Sequence, residues 1–401
     1  MPLGRLFVAS GTMSLGYGSI FTLLAEMRDR FGFSETGVGA IAGVGFLAGF
    51  AAQVGLARFA DRGHARRMVR TGLVTACAAL VWMAFATELW QFVAARLVLG
   101  LGSGAVGPAL RRVVIVSDPE RIGDNLGRLA AAEVGGFVLG PLISGVLAQV
   151  AGLRAPFVFL AVCCALLLSV VAPVDLTVGG VSSERRVARA LLRRPAVLAG
   201  MASGVAFAVT LGTFESVWAV LLTDRGAQTW FIGVTLSLFT IPMVVLAPSA
   251  GRWAQRYGPV RTAAIGISIA IPCTFSYGLI GSVAGLLAVS LVHAFGDALT
   301  FPSNQVAVAL ASPREHLASA QGMYGAVNTV TAGLAAGLSA TVYDHAGPTV
   351  LFTSVSLVMA GALAVAVVLG RELLGPPVAS DVTGVGPEGE PPGAAPAAVA
   401  P

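Results

Sequence analysis

Six ionisable side chains stand inside otherwise apolar runs: Glu26, Arg96, Glu133, Glu215, His293 and Asp297. Within a membrane such residues are costly and are kept where they face a water-filled cavity or a partner. A carboxylate in an apolar setting holds its proton tightly, so it suits a carrier that is protonated in one state and released in another. His293 and Asp297 are four residues apart, one helical turn, and are expected to share a proton or a hydrogen bond. At 1.5 Å per residue, Arg96 and Glu215 each fall about 10 Å below one surface, which makes a pair across a cavity feasible. Glu133 is either a proton carrier or half of a structural ion pair with Arg112 or Arg128, and Glu26 lies closer to the rim. Tyr17, Phe21, Phe207, Phe214, Trp218, Phe295 and Phe301 share these runs. Rings interleaved with a few acids suit a hydrophobic or cationic solute, although for any one ring ordinary packing is the alternative.

Other chemistries lack their residues. His64, His293, His316 and His345 are scattered, and Cys77, Cys163, Cys164 and Cys273 fall in apolar runs, so no metal cluster or disulfide framework is expected. Gly102 to Gly107 spells G-x-G-x-x-G, but no strand precedes it, and its glycines read as helix-packing positions. No cofactor, nucleophile–base pair or phosphate loop is implied, and the chain is read as a non-enzyme.

The elements that must position these groups follow from composition. Of 401 residues, 56% are hydrophobic and only 11% charged, and 50 more are glycine, with a mean hydropathy of +0.83. A soluble domain carries roughly a quarter charged residues. This composition excludes a soluble enzyme, a nucleic-acid module and a disordered chain, and predicts an all-α integral membrane protein. Twelve spans are predicted, at 6–27, 36–56, 71–86, 89–110, 127–150, 156–174, 196–222, 229–250, 262–280, 283–311, 320–343 and 348–369. The first is expected to be a retained span rather than a cleaved signal. All basic residues are arginine, and with the N-terminus in the cytoplasm twenty of the 25 fall in inner segments and only four in outer loops. That bias predicts a multi-pass protein of the plasma (inner) membrane with both termini cytoplasmic. Residues 175–194 form a linker whose Val187 and Leu191, set among arginines, suggest a helix lying on the inner surface. The tail 371–401, rich in Pro, Gly and Ala, is expected to be disordered.

Shifting the chain by 194 residues aligns Asp61-Arg62 with Gln255-Arg256, Gly102 with Gly296 and Pro108 with Pro302. Two six-helix bundles, 1–174 and 195–370, are therefore expected, related by a pseudo-two-fold axis along the membrane normal. Here the chain resembles the major facilitator superfamily over residues 4–370. The motif between spans two and three is Asp61-Arg62-Gly63-His64-Ala65-Arg66-Arg67, with His64 where the family has Gly. Its second copy, Gly251 to Gly258, includes Arg256 and carries Gln255 in place of the acid. Arg96, four residues before Gly100, matches the fourth-helix motif, and Gly127, Gly136, Gly140, Pro141 and Gly145 match the fifth-helix pattern of twelve-span drug–proton antiporters, with Ser144 replacing one glycine. Those small residues are expected to let the fifth helix slide against a helix of the other half, with the proline adding a bend.

The resemblance implies that spans one, four, seven and ten surround a central cavity, and they carry five of the six ionisable residues. It also implies that Asp61 and the arginines near it hold the halves in one state. The expected function is proton-coupled efflux of small hydrophobic or cationic molecules by alternating access, from a monomer whose partners are substrate, protons and the bilayer, without nucleic acid. An importer or uniporter of a sugar or organic acid is the alternative, and a non-transporting sensor a more distant one.

Overall fold

The computed structural model describes residues 3–172 and 187–376, and all regular structure among them is helical. The long helices are α1 (Leu3–Phe31), α2 (Glu35–Phe59), α3 (Ala65–Phe85), α4 (Leu89–Ser117), α5 (Ile122–Ala151) and α6 (Arg154–Val171). After the short α7 (Val187–Leu192) come α8 (Pro195–Asp224), α9 (Thr229–Tyr257), α10 (Pro259–Tyr277), α11 (Val283–Ala311) and α12 (Leu317–Leu369). Helices answer the composition because, with no water in lipid, each backbone N–H and C=O must be paired within its own segment. Polar caps mark their starts: Ser34 Oγ accepts from Gly37 N on α2, Ser282 Oγ accepts from Gly285 N on α11, and Glu88 with Gln91 forms a reciprocal box on α4.

Nine described stretches are long and apolar enough to cross a bilayer. Two of them, Gly39–Phe85 and Arg314–Leu369, run to 47 and 56 residues and bend at glycines with left-handed backbone, Gly63 (φ 86°) and Gly347 (φ 79°). The positive φ falls on Gly63, while His64 has φ −93°, so the histidine costs the turn nothing. The third span begins earlier than its apolar run, at Ala65.

Within α1–α6, α1 packs on α5, α2 on α4, and α3 on α4 and α6; within α8–α12, α8 packs on α12, and α11 on α9 and α10. Glycines make the crossings tight: Gly100 and Gly104 of α4 abut Gly45 and Gly49 of α2, and Gly102 abuts Gly72 of α3. The G-x-G-x-x-G is thus a packing element within a helix. The linker expectation is revised where it is described. Leu191 of α7 is buried beside Val197, Met201, Val308, Ala320 and Tyr324, so it packs on protein rather than on a membrane surface. Past α12, Leu373 is buried against Ala199 and Val260, and the Leu374 carbonyl passes so close to Gly258 (φ 105°) that no side chain would fit there. Linker residues 175–186 and tail residues 377–401 lie outside the described residues.

Candidate functional site

Helices α1–α6 meet α8–α12 chiefly where α5 crosses α9 and α2 crosses α12. The closest contacts cluster at the end that carries the loop between α2 and α3. Asp61, fully buried, accepts hydrogen bonds from Ala318 N (2.8 Å), Ser319 N (2.9 Å), Ser319 Oγ (2.6 Å) and Arg112 Nε (3.0 Å). Its carboxylate therefore caps the first turn of α12, where orphan N–H groups and the helix dipole favour an anion. The second motif copy reaches the other way. Gln255 Oε1 accepts from Gly123 N (2.7 Å) at the start of α5, and its Nε2 donates to the Glu120 carbonyl (2.8 Å). Arg252 donates to Asp124 (2.6 Å), which Arg121 (2.7 Å) and Arg128 (3.2 Å) also hold. Gly123 lies against Gly251, Gly127 against Ala247 and Pro248, and Gly322 of α12 against Gln53 of α2.

The residues around Asp61 divide in role. Arg62 and Arg67 are exposed, with Arg62 near the Phe59 ring (5.7 Å), while Arg66 donates to the Ala172 carbonyl (3.3 Å). Arg256 is exposed over Tyr257 (5.3 Å). The cation on Asp61 is Arg112, from α4. Arg112, Asp124, Arg252 and Ser319 were not singled out for this work by sequence. One signal for them existed, since the 194-residue offset that maps Asp61 onto Gln255 also maps Gly123-Asp124 onto Leu317-Ala318, the helix starts these side chains reach.

The fifth-helix pattern divides in two: Gly127 makes the expected close approach to the other set of helices, and Gly136 and Gly140 do not. A methyl on Gly136 would strike the Gly11 backbone, and one on Gly140 would meet Leu15 and Ser19, all in α1. Pro141 lies beside Gly18 of the same helix. These positions seat α5 on α1 within one set of helices, and the close approach to the other set is made by Gly123 and Gly127. Pro141 and Gly145 instead line an open groove with Leu142, Val146, Gln149 and the half-buried Glu26.

Arg96 is wholly buried, and none of its three guanidinium nitrogens has a hydrogen-bond partner among the described residues. It lies 4.8 Å over the Tyr17 ring and against Gly45, where even a methyl would not fit. The Tyr17 hydroxyl donates to the Gly45 carbonyl (3.4 Å), and the residue feels both Arg96 and Glu215 electrostatically. Glu215 itself is exposed, so the cross-cavity pair drawn from depth is not formed here; the Tyr17 ring covers Arg96 instead. The Phe21 side chain lies outside what the structure describes.

Glu133 has a partner that differs from both expected ones. Arg111 Nη2 donates to Oε1 and Oε2 (2.8 and 2.9 Å), and Ser10 Oγ of α1 donates to Oε1 (2.9 Å). Arg112 and Arg128 are engaged by Asp61 and Asp124. The pair is felt by Tyr324 of α12, whose hydroxyl is within reach of Asn304 and Asn328 without a well-formed hydrogen bond. Ser203 Oγ donates to Asn304 Oδ1 (2.5 Å).

His293 and Asp297 also depart from the cavity reading. His293 is fully buried, with Nδ1 3.0 Å from the Tyr277 hydroxyl and Nε2 3.5 Å from Asp297 Oδ1. Phe214 and Phe239 stand edge-on to its ring (5.5 and 5.7 Å), and Phe214 stacks on Trp218 (4.6 Å). Trp218 is 2% exposed and donates to Thr235 Oγ1 (3.0 Å). These groups form the aromatic core among α8–α12 rather than the wall of an open space. The reason is helical phase: Phe295, 49% exposed, falls on the face of α11 opposite His293 and Asp297.

Comparison with known proteins agrees with this architecture. The sequence profile of the Major Facilitator Superfamily matches residues 6–284 and 212–397. The chain is 26% identical over 216 residues to "Multidrug resistance protein MdtG" of Dickeya zeae (strain Ech586), covering 51% of this chain and 52% of that protein. It is 31% identical over 153 residues to "Uncharacterized MFS-type transporter YuxJ" of Bacillus subtilis (strain 168), covering 37% of this chain and 38% of that one. The chain thus spans about half the length, or less, of these curated relatives. Among solved structures, that of the human organic anion transporter MFSD10 (TETRAN) superposes with a TM-score of 0.74 at 17% identity, covering 91% of this chain and all of that one, a likeness of fold. Its apolar helices make the chain a multi-pass membrane protein that resembles drug–proton antiporters, and it belongs to the major facilitator superfamily.

Proposed function

We propose that this protein is a secondary active transporter that exports small hydrophobic or cationic molecules in exchange for protons. The observation that carries the reading is the interlock at one end: Asp61 on α12 and Gln255 on α5 tie the two sets of helices together there, and Glu215 stays exposed. An alternating-access carrier needs such a seal at one end at a time. On this reading, spans 1–174 and 195–370 are two six-helix bundles, with Gly347 dividing the last two spans, and the arginine-rich interlocked end faces the cytoplasm. The conformer is then open outward. The multidrug-resistance name of the relatives supports hydrophobic and cationic cargo.

Glu215 is the acid offered to a cationic substrate, and Glu133 the acid offered to the proton; Asp297 passes to a structural role because its partners are core groups. Proteoliposomes holding the full chain test this. An imposed acid interior should drive ethidium inward against its gradient, with proton release on ethidium addition. Ethidium movement without proton movement would replace the antiport reading with a uniport, and no movement of ethidium or of a panel of dyes, antibiotics and metabolites would remove the transport reading.

A further inference from the structure

Glu133 and Arg111 sit where the two sets of helices meet, and their surroundings are asymmetric. On one side the carboxylate is satisfied: Arg111 Nη2 grips both its oxygens, Ser10 donates to one, and the side chains are 15% and 12% exposed, while Arg111 Nε is buried without a hydrogen-bond partner among the described residues. Facing it from α11 and α12 is a wall of neutral dipoles with unmet hydrogen bonds. The Tyr324 hydroxyl, Asn304 Nδ2 and Asn328 Oδ1 are buried and unpartnered among the described residues, and Gly204 of α8 lets Tyr324 and Asn328 pack close. The charged and titratable groups around Glu133 are Arg111 from α4 and Tyr324 from α12; α1 supplies Ser10, and α9 supplies Val244 beside Gly135.

Resting on the transport reading above, we propose that Glu133 is the proton-binding site and that its protonation unlocks the interlocked end by stripping Arg111 of its counter-ion. The step moves one proton from water to the Glu133 carboxylate and breaks the two Arg111 hydrogen bonds as an ion pair, with no other bond changed. The remaining Arg111 cation then faces amides and a phenol that carry no charge. Removing one partner of a largely buried pair leaves an uncompensated charge, which costs more than a neutral acceptor returns. Arg111 regains solvation when the Asp61 and Gln255 ties release and water enters. With Glu133 ionised, the pair is neutral and the end stays shut. Proton uptake is thereby linked to the opposite access state, which an exchanger requires.

The test is distance measurement on the full chain in phosphatidylethanolamine–phosphatidylglycerol liposomes. Spin labels at Glu120→Cys and Tyr257→Cys, both exposed, span the interlocked end on a background without the four native cysteines. The wild-type distance should lengthen as pH falls. Glu133→Gln should show the long distance at every pH, with a roughly tenfold or larger rise in the open-to-closed ratio. Glu133→Gln with Arg111→Gln should close the end again and lose the pH dependence, a rescue that a merely structural pair would not give. A wild-type pH response that persists in Glu133→Gln, or an open double variant, overturns the proposal. Because no substrate is used, failure of ethidium transport in the same liposomes would remove the transport reading without producing either of these results.

Discussion

The carboxylate of Asp61 takes both the backbone N–H and the hydroxyl of Ser319, at 2.9 and 2.6 Å, across 258 residues of chain. One buried anion thus serves as N-cap for a helix of the other set and as counter-ion to Arg112. Asp61→Asn would turn an amide donor toward Arg112 or the α12 N–H groups. We expect the interlock to weaken by about 2–4 kcal/mol, with normal membrane insertion and at least tenfold slower ethidium transport. Wild-type transport rates in that variant would show that the cap is dispensable.

Gly123 and Gly251 test the same end by shape alone. A methyl on either would run into the other's backbone. Gly251→Ala should hold the end partly open, at an overpacking cost of about 1–3 kcal/mol, and lengthen the distance between labels at residues 120 and 257. Gly136→Ala, which meets Gly11 of α1, should lower thermal stability while leaving that distance unchanged.

Glu215→Gln should weaken binding of ethidium roughly tenfold, the scale of one charge interaction in a partly hydrated cavity, and leave binding of a neutral dye within about twofold. Fluorescence titration of purified protein reads both. Equal loss for the two dyes would place Glu215 in the scaffold instead.

Asp297→Asn removes the acid beside His293 in the aromatic core. A melting curve should show a loss of about 1–3 kcal/mol, whereas ethidium-driven proton release should stay within about threefold of wild type. Abolished proton release with intact ethidium exchange would return the proton to Asp297.

Topology is open to direct reading. Reporter fusions at Arg66, Gly179 and Pro387 should report cytoplasm, and fusions at Gly32, Gly152 and Gly226 the opposite side. An external signal at Gly179 would break the two-bundle arrangement.

The sequence by itself determined the class of molecule, because hydropathy and arginine placement are sums over many residues and survive local error. It also marked the Asp61 loop and its copy at Gln255, since a fixed offset is visible in one dimension. Tertiary structure decided which partner each of these found. Arg112 on Asp61, Arg111 rather than Arg112 or Arg128 on Glu133, and α1 rather than the opposite helices against Gly136 and Gly140 all depend on helix rotation and crossing. A turn of 100° per residue separates Arg111 from Arg112, and that single step sends one side chain to the proton candidate and the other to the interlock. His293 and Asp297 share α11 with the exposed Phe295, yet the phase of the helix turns them into the core, where only the packed helices supply Tyr277 and Phe214 as neighbours.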